Sequence, residues 1–357
     1  MIKSPAYYTD LFATLGQLMG KVSQALLQQS PVPDGGHLLY RAALQSANDN
    51  PWFTTRETAR ALQALSGMLT FGALRDWMQS YPRLSTGNRQ VKKVGVIMAG
   101  NIPLVGFHDM LCVITAGHQL LLKPSSNDKL LPLAVANTLA LLDKGLMNRI
   151  RVTGEMKDEA QAMIATGSDN TARYFTYHYG HLPHIIRKNR YSAAILTGRE
   201  SVRELESLGE DVFAYYGMGC RNVSYLFIPG VEHLGHLTRA WKAYSYVLEN
   251  RAYTNNLRHG RALMKVCGKA YSDAGFCLFA ENRQPGSSPA VLHYSTWQDT
   301  GELWDQVRDR RHQLQCIVTA RPEQWPDPGL LTPGSTQEPS LPDYADGTDT
   351  MDFLLSL

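Results

Sequence analysis

The sequence has no run that approaches the ~20 consecutive apolar residues a helix needs to cross a bilayer, so no membrane span is expected. It also has no block of lysine and arginine. With a net charge of +3 over 357 residues, nothing marks a nucleic-acid-binding face. Cysteine is sparse: there are five, and their spacing fits neither a disulfide framework nor a zinc site, which favours a reducing, cytoplasmic setting. The N-terminal stretch carries an early Lys3 but no continuous apolar segment ending in small residues, so no secretory signal is expected. No internal repeat is visible, and the only compositional bias is a proline-rich segment after Ala320. His178, His181 and His184 are broken up by Pro183 and have no neighbouring cysteine or carboxylate cluster, so no metal is expected. Ser192 lacks the G-x-S-x-G elbow of a serine hydrolase.

What remains is an ordinary globular composition, 44% hydrophobic and 19% charged, with enough length for two lobes. Residues 6 to 80 read as helical. Phe12, Leu15, Met19, Val22 and Leu26 form an amphipathic stripe, and Thr54 with Glu57 has capping-box spacing. From Val91 the pattern changes to apolar strands alternating with helices. Strands are expected at 91–98, 118–123 and 150–154, a helix at 130–142 capped by Asn127 or Asp128, and a further helix at 157–165. Later strands are expected at 192–198, 223–228, 276–281, 290–294 and 315–320, with a helix at 301–314. Such alternation implies a parallel sheet, whose ligands bind beyond the carboxyl ends of the strands.

Cys220 is the candidate nucleophile. It lies in GMGCRNVSYLFIPG (217–230), where Gly217 and Gly219 keep the backbone beside the thiol bare and permit positive φ, and an apolar strand follows. Cys112, Cys267, Cys277 and Cys316 sit in apolar or helical surroundings and read as small core residues. Three loops follow strand-like segments. Asn101, in GNIP, has an amide able to donate to a developing oxyanion. Lys123, in LKPSS with Ser125, can reach a ribose or phosphate. Gly167 and Ser168 precede a helix whose first amides can cradle a pyrophosphate. Each residue is individually as consistent with a turn former, a surface charge or a helix cap. Arg187, Lys188 and Arg190 form a basic run that reads either as phosphate-binding or as a solvated turn.

The order of these segments resembles the aldehyde dehydrogenase superfamily. Within it, TGSDNTARYF, RKNRYSAAILTGRE, GMGCRNVS and the terminal DGTDTMDFLLSL are similar to the acyl-CoA reductase branch related to bacterial luminescence reductases, from about residue 90 onward. The resemblance implies an α/β fold with a parallel-sheet nucleotide-binding domain and an α/β catalytic domain. The expected divisions are a helical N-terminal region at 1–88, the nucleotide-binding domain at 89–200, the catalytic domain at 201–320, and a return segment and tail at 321–357. It makes Cys220 the catalytic thiol, Asn101 the oxyanion-hole residue, and Lys123, Ser125, Gly167 and Ser168 cofactor-binding residues. NADPH is the implied cofactor with NADH as the alternative, an acyl-CoA or acyl carrier protein thioester the implied substrate, and a homo- or hetero-oligomer the implied assembly. Where aldehyde-oxidising members carry a Glu-Leu-Gly-Gly-Lys motif, residues 185–196 read IIRKNRYSAAIL, with no acid to activate a hydrolytic water. Reduction of an acyl-Cys220 intermediate to an aldehyde is therefore expected over its hydrolysis. The alternatives are acyl transfer through Cys220 without reduction, and a non-catalytic scaffold of the same fold.

Overall fold

The computed structural model describes residues 3–85, 90–282, 288–327 and 329–357. The chain forms two compact units, Met1–Asn189 with Glu338–Leu357, and Arg190–Gln337.

In the first unit, helices α1 (Pro5–Gln28), α2 (His37–Asp49), α3 (Thr55–Met68) and α4 (Phe71–Gln79) precede the sheet. Ser4 caps α1 by accepting the Tyr7 N–H, and Thr54 accepts the Glu57 N–H at the start of α3. The apolar stripe of α1 is buried along its length, and α1 packs on α3 closely enough that a Cβ on Gly16 would stand 2.6 Å from Leu69 Cβ. Strand β1 (Lys93–Ile97), α5 (Phe107–Thr115), β2 (Gln119–Lys123), α6 (Leu130–Leu142), β3 (Ile150–Val152), β4 (Ala162–Thr166), α7 (Asp169–Tyr179) and β5 (His184–Arg187) follow. They build a fully parallel sheet in the order β3-β2-β1-β4-β5. Its central strands are apolar on both faces because both are covered. Val94, Val96, Leu120, Leu122 and Ile164 join the core shared with the N-terminal helices, while Ile97, Leu121, Met163 and Ala165 join the one beneath α7.

The helix expected at 157–165 is corrected. Ala162–Thr166 is instead strand β4, fully paired between β1 and β5, and only a turn precedes it. The Lys-Asp-Glu-Ala start favours a helix locally, but a place in the middle of a buried sheet outweighs that preference.

The second unit opens with β6 (Tyr191–Ile195) and continues through α8 (Val202–Phe213), β7 (Val223–Ile228), α9 (His233–Ala240), α10 (Arg251–Val266), β8 (Ser272–Asp273), β9 (Leu278–Glu281), β10 (Val291–Thr296), α11 (Thr300–Arg310) and β11 (Leu314–Thr319). The sheet order is β11-β6-β7-β10-β9-β8, parallel except for the β8–β9 pair. One face packs Tyr225, Phe227 and Ile195 under Leu303 and Val307 of α11. Elsewhere in the unit Trp241 is fully buried beside Phe213 and Phe279, its indole N–H donating to the Leu205 carbonyl at 2.7 Å. Because β6 pairs with β7 and β11, the division between units falls after Asn189, whereas the sequence placed it near residue 200.

The last residues, including α12 (Thr350–Leu355), belong to the first unit. Met351, Leu354 and Leu355 are buried there, Trp77 Nε1 donates to the Tyr344 hydroxyl at 2.9 Å, and Arg187 binds both Asp109 (2.7 Å) and Thr350 (2.8 Å). Arg187 is thus neither a solvated turn residue nor exposed to a phosphate; it is the buried half of an ion pair. Among the described residues no helix is long and apolar enough to cross a membrane.

Candidate active site

The strand order of the first sheet reverses between β1 and β4, and the loops after those strands carry Asn101 and the Gly167–Ser168 pair. This is the crevice position at which open parallel sheets bind ligands. Asn101 is half-buried in a turn that runs to α5, and Lys123 ends β2 with its side chain exposed. The two loops touch. Met98 N–H donates to the Lys123 carbonyl at 3.0 Å, and a Cβ on Gly100 would stand 2.5 Å from Ser125 Cβ, so only glycine lets them approach this closely. Ser168 caps α7 by accepting the Thr171 N–H at 3.3 Å.

Asp128 holds this arrangement together, in place of the cap role expected for it at the start of α6. Its carboxylate does not cap α6; Oδ2 accepts the Leu104 N–H at 2.7 Å, across to the Asn101 loop. Leu104 has φ +58°, a left-handed conformation that is strained for a residue with a Cβ, and this bond helps to fix it. Asp128 is only 2% exposed, and Oδ1 has no hydrogen-bond partner among the described residues. Burial pushes its carboxyl up to about 7, against the pull of the Leu104 amide.

Cys220 lies in the second unit, half-buried in the turn before β7, at the amino end of that strand. The chain reaches it through three successive left-handed residues, Tyr215 (φ +51°), Tyr216 (φ +57°) and Gly217 (φ +76°). Glycine adopts this conformation freely, but each tyrosine costs about 1–2 kcal/mol. Gly219 is not among the positive-φ residues, so the freedom anticipated at both glycines is used at one.

Asn222 compensates the strain. It is buried, its Nδ2 donates to the carbonyls of Ala214 (2.9 Å) and Asp211 (3.0 Å), and its Oδ1 accepts the Gly219 N–H at 2.8 Å. On the other side of the thiol, Ser192 Oγ donates to the Cys220 carbonyl at 2.9 Å and accepts the Cys316 N–H at 3.1 Å. Asp211 is itself buried, and its carboxylate accepts N–H groups from Gly334 (2.6 Å) and Thr336 (3.0 Å).

None of the five cysteines forms a disulfide. Cys112 and Cys277 are buried and burial pushes their thiols up, so they are poor nucleophiles. Cys316 is buried as well, with Arg221 Nη1 at 3.4 Å from its sulfur. Cys267 departs from the core role expected of it: it follows α10 at the surface and is exposed. His178 packs against Tyr174 with the rings tilted by 54°, and among the described residues no three His, Cys, Asp or Glu side chains converge as metal ligands.

The sequence-predicted residues thus fall in two groups, Asn101, Lys123, Ser125, Gly167 and Ser168 in the first unit and Cys220 in the second. Residues 69–220 match the acyl-CoA reductase (LuxC) family model. The matched segment, less than half of the chain, takes in every one of these residues and ends on Cys220, in agreement with the resemblance drawn from the motifs between residue 90 and Cys220. Solved structures of similar fold include aldehyde dehydrogenases. They include an indole-3-acetaldehyde dehydrogenase in complex with NAD+ (13% identity, 86% of this chain and 72% of that chain, TM-score 0.60). An aldehyde dehydrogenase from Bacillus cereus in complex with NAD+ has 13% identity over 86% of this chain and 71% of that one, TM-score 0.57. An NAD-dependent benzaldehyde dehydrogenase from Corynebacterium glutamicum has 11% identity over 86% and 76%, TM-score 0.58. At these identities the likeness establishes the aldehyde dehydrogenase fold. No curated protein sequence matches the chain.

Sequence reasoning missed the roles of Asp128, Asn222 and Ser192. An asparagine two residues after Cys220 was the available signal, and nothing local distinguishes it from a turn former.

Proposed function

We propose that the protein reduces an acyl thioester, acyl-CoA or an acyl carrier protein conjugate, to an aldehyde through an acyl-Cys220 intermediate, using NADPH or NADH. The observation that carries this reading is the match of residues 69–220 to the acyl-CoA reductase family on an aldehyde dehydrogenase fold.

The residues of the first crevice suit a dinucleotide. Lys123 is exposed at a strand end, and the opening turn of α7 presents amides that have no intrahelical acceptor. We assign Lys123 and Ser125 to the ribose side, and Gly167 and Ser168 to the loop beside the phosphates. When bound, the nicotinamide supplies the hydride.

The Cys220 thiolate attacks the thioester carbonyl, forming a carbon–sulfur bond. The tetrahedral intermediate then expels the donor thiolate, which takes up a proton. The Cys220 main-chain N–H is assigned as one donor to the oxyanion and, following the resemblance, Asn101 as the other. After hydride addition to the acyl carbon, the thiohemiacetal loses the sulfur as the Cys220 thiolate and its hydroxyl proton to solvent, releasing aldehyde. No acid occupies the stretch that would activate a hydrolytic water, which supports reduction over release as carboxylate.

The test is intact-mass spectrometry after mixing with acyl-CoAs of graded length without reductant. An acyl adduct on the wild type, absent from Cys220→Ala and discharged by NADPH or NADH, is the expected result. An adduct that persists with both cofactors would shift the reading to acyl transfer, and an adduct retained by Cys220→Ala would remove the nucleophile assignment.

A further inference from the structure

Beyond Cys220 itself, the second unit contains a frame built around the thiol from both sides. On the N-terminal side, α8 ends at Phe213, Ala214 leaves the helical path (φ −51°, ψ 142°) and Tyr215 to Gly217 turn left-handed, which leaves the carbonyls of Asp211 and Ala214 to be satisfied by something else. Asn222 meets both with one amide nitrogen, and its oxygen takes the Gly219 N–H. Its own N–H returns to the Gly219 carbonyl at 3.0 Å. The loop closed by these bonds runs from the end of α8 to the start of β7, with Cys220 between its two anchored ends. On the C-terminal side, Ser192 of the neighbouring strand β6 ties the Cys220 carbonyl to the Cys316 amide of β11, so a hydroxyl bridges three adjacent segments of one sheet edge.

We propose that Asn222 and Ser192 are positioning residues for Cys220: by fixing the peptide groups on either side of it, they set the direction of its side chain and of its main-chain N–H. This rests on the reading of Cys220 as the acylated thiol. Both side chains are buried, and neither is needed to fill an apolar core. An alanine at 222 would remove the side-chain donor from the carbonyls of Asp211, Val212 and Ala214 and the acceptor from the Gly219 N–H while leaving the left-handed tyrosines in place, and an alanine at 192 would remove the hydroxyl that binds the Cys220 carbonyl with little change in packing.

Asn222→Ala and Ser192→Ala are compared with the wild type in single-turnover acylation by an acyl-CoA, read by intact mass across a range of substrate concentrations. Alkylation of Cys220 by iodoacetamide, which needs no acyl substrate, is followed on the same samples by peptide mass mapping. In both variants the limiting acylation rate is expected to fall at least tenfold while the half-saturating concentration stays within twofold, and the Cys220 alkylation rate is expected to change at least threefold. Ser192→Ala keeps the experiment decisive if Asn222→Ala does not fold. Acylation and alkylation rates within twofold of wild type in the folded variants would overturn the proposal. A wild-type Cys220 that alkylates but accepts no acyl group from either acyl-CoA or an acyl carrier protein conjugate would instead remove the acyl-thioester reading, and the alkylation comparison alone would then decide the positioning role.

Discussion

Replacing Asp128 by asparagine should make the protein more stable at neutral and alkaline pH, and the size of the gain follows from where the carboxylate sits. Its carboxyl is raised from an ordinary 3.8 to about 7 by burial. A native-state value above the unfolded one means the folded protein binds the extra proton between those two pH values. Stability contributed by this group is therefore full below about 4 and is lost as pH rises towards 7. At about 1.4 kcal/mol per pH unit, that interval amounts to a loss of roughly 4 kcal/mol at and above neutrality. Asparagine keeps an oxygen to accept the Leu104 N–H and carries no charge to desolvate. For a unit of this size 1 kcal/mol moves the melting temperature by about 2–4 °C, so the difference between Asp128→Asn and wild type should grow by on the order of 10 °C between pH 4.5 and 8. Scanning calorimetry of both proteins at pH 4.5, 6, 7 and 8 measures it. Parallel curves across that range would show that Asp128 is ionised without penalty and refute the burial argument.

Other predictions follow from the same geometry. Arg187→Ala leaves Asp109 buried without its cation and should cost about 3–5 kcal/mol, seen as a lowered denaturation midpoint in urea; a midpoint within error of wild type would contradict it. Gly100→Ala drives a methyl group into Ser125 and should weaken the dinucleotide binding proposed for this crevice at least tenfold in a fluorescence titration with NADPH and NADH. An affinity within twofold of wild type would show that the contact between the loops is not what matters.

The architecture was legible where residues report their own burial. The run Leu120–Leu122 of β2 is continuously apolar because both faces of the sheet are covered, and the α1 stripe identifies its packed face. The 157–165 segment was misread because its polar start gives a local helical signal, whereas pairing between β1 and β5 is a long-range fact. The glycines single out Cys220 in the sequence, but nothing there points to the frame around it. Asn222 acts on carbonyls eight and eleven residues earlier, and Ser192 on an amide 124 residues later, distances at which sequence spacing carries no geometric information. Asp128 was recognised only as a helix cap, since its partner Leu104 lies in a loop whose left-handed conformation is not written in the residue type.

The return of residues 338–357 to the first unit has a consequence for how the chain is made. Arg187, Trp77 and the helices around them receive Thr350, Tyr344 and Met351 only after all of Arg190–Gln337 has been synthesised. The second unit is a contiguous stretch and can fold as it emerges from the ribosome, whereas the first, although translated earlier, stays incomplete until its last segment arrives. Order of synthesis and order of completion are therefore reversed, and during that interval the docking surface for α12 is exposed to chaperones and proteases.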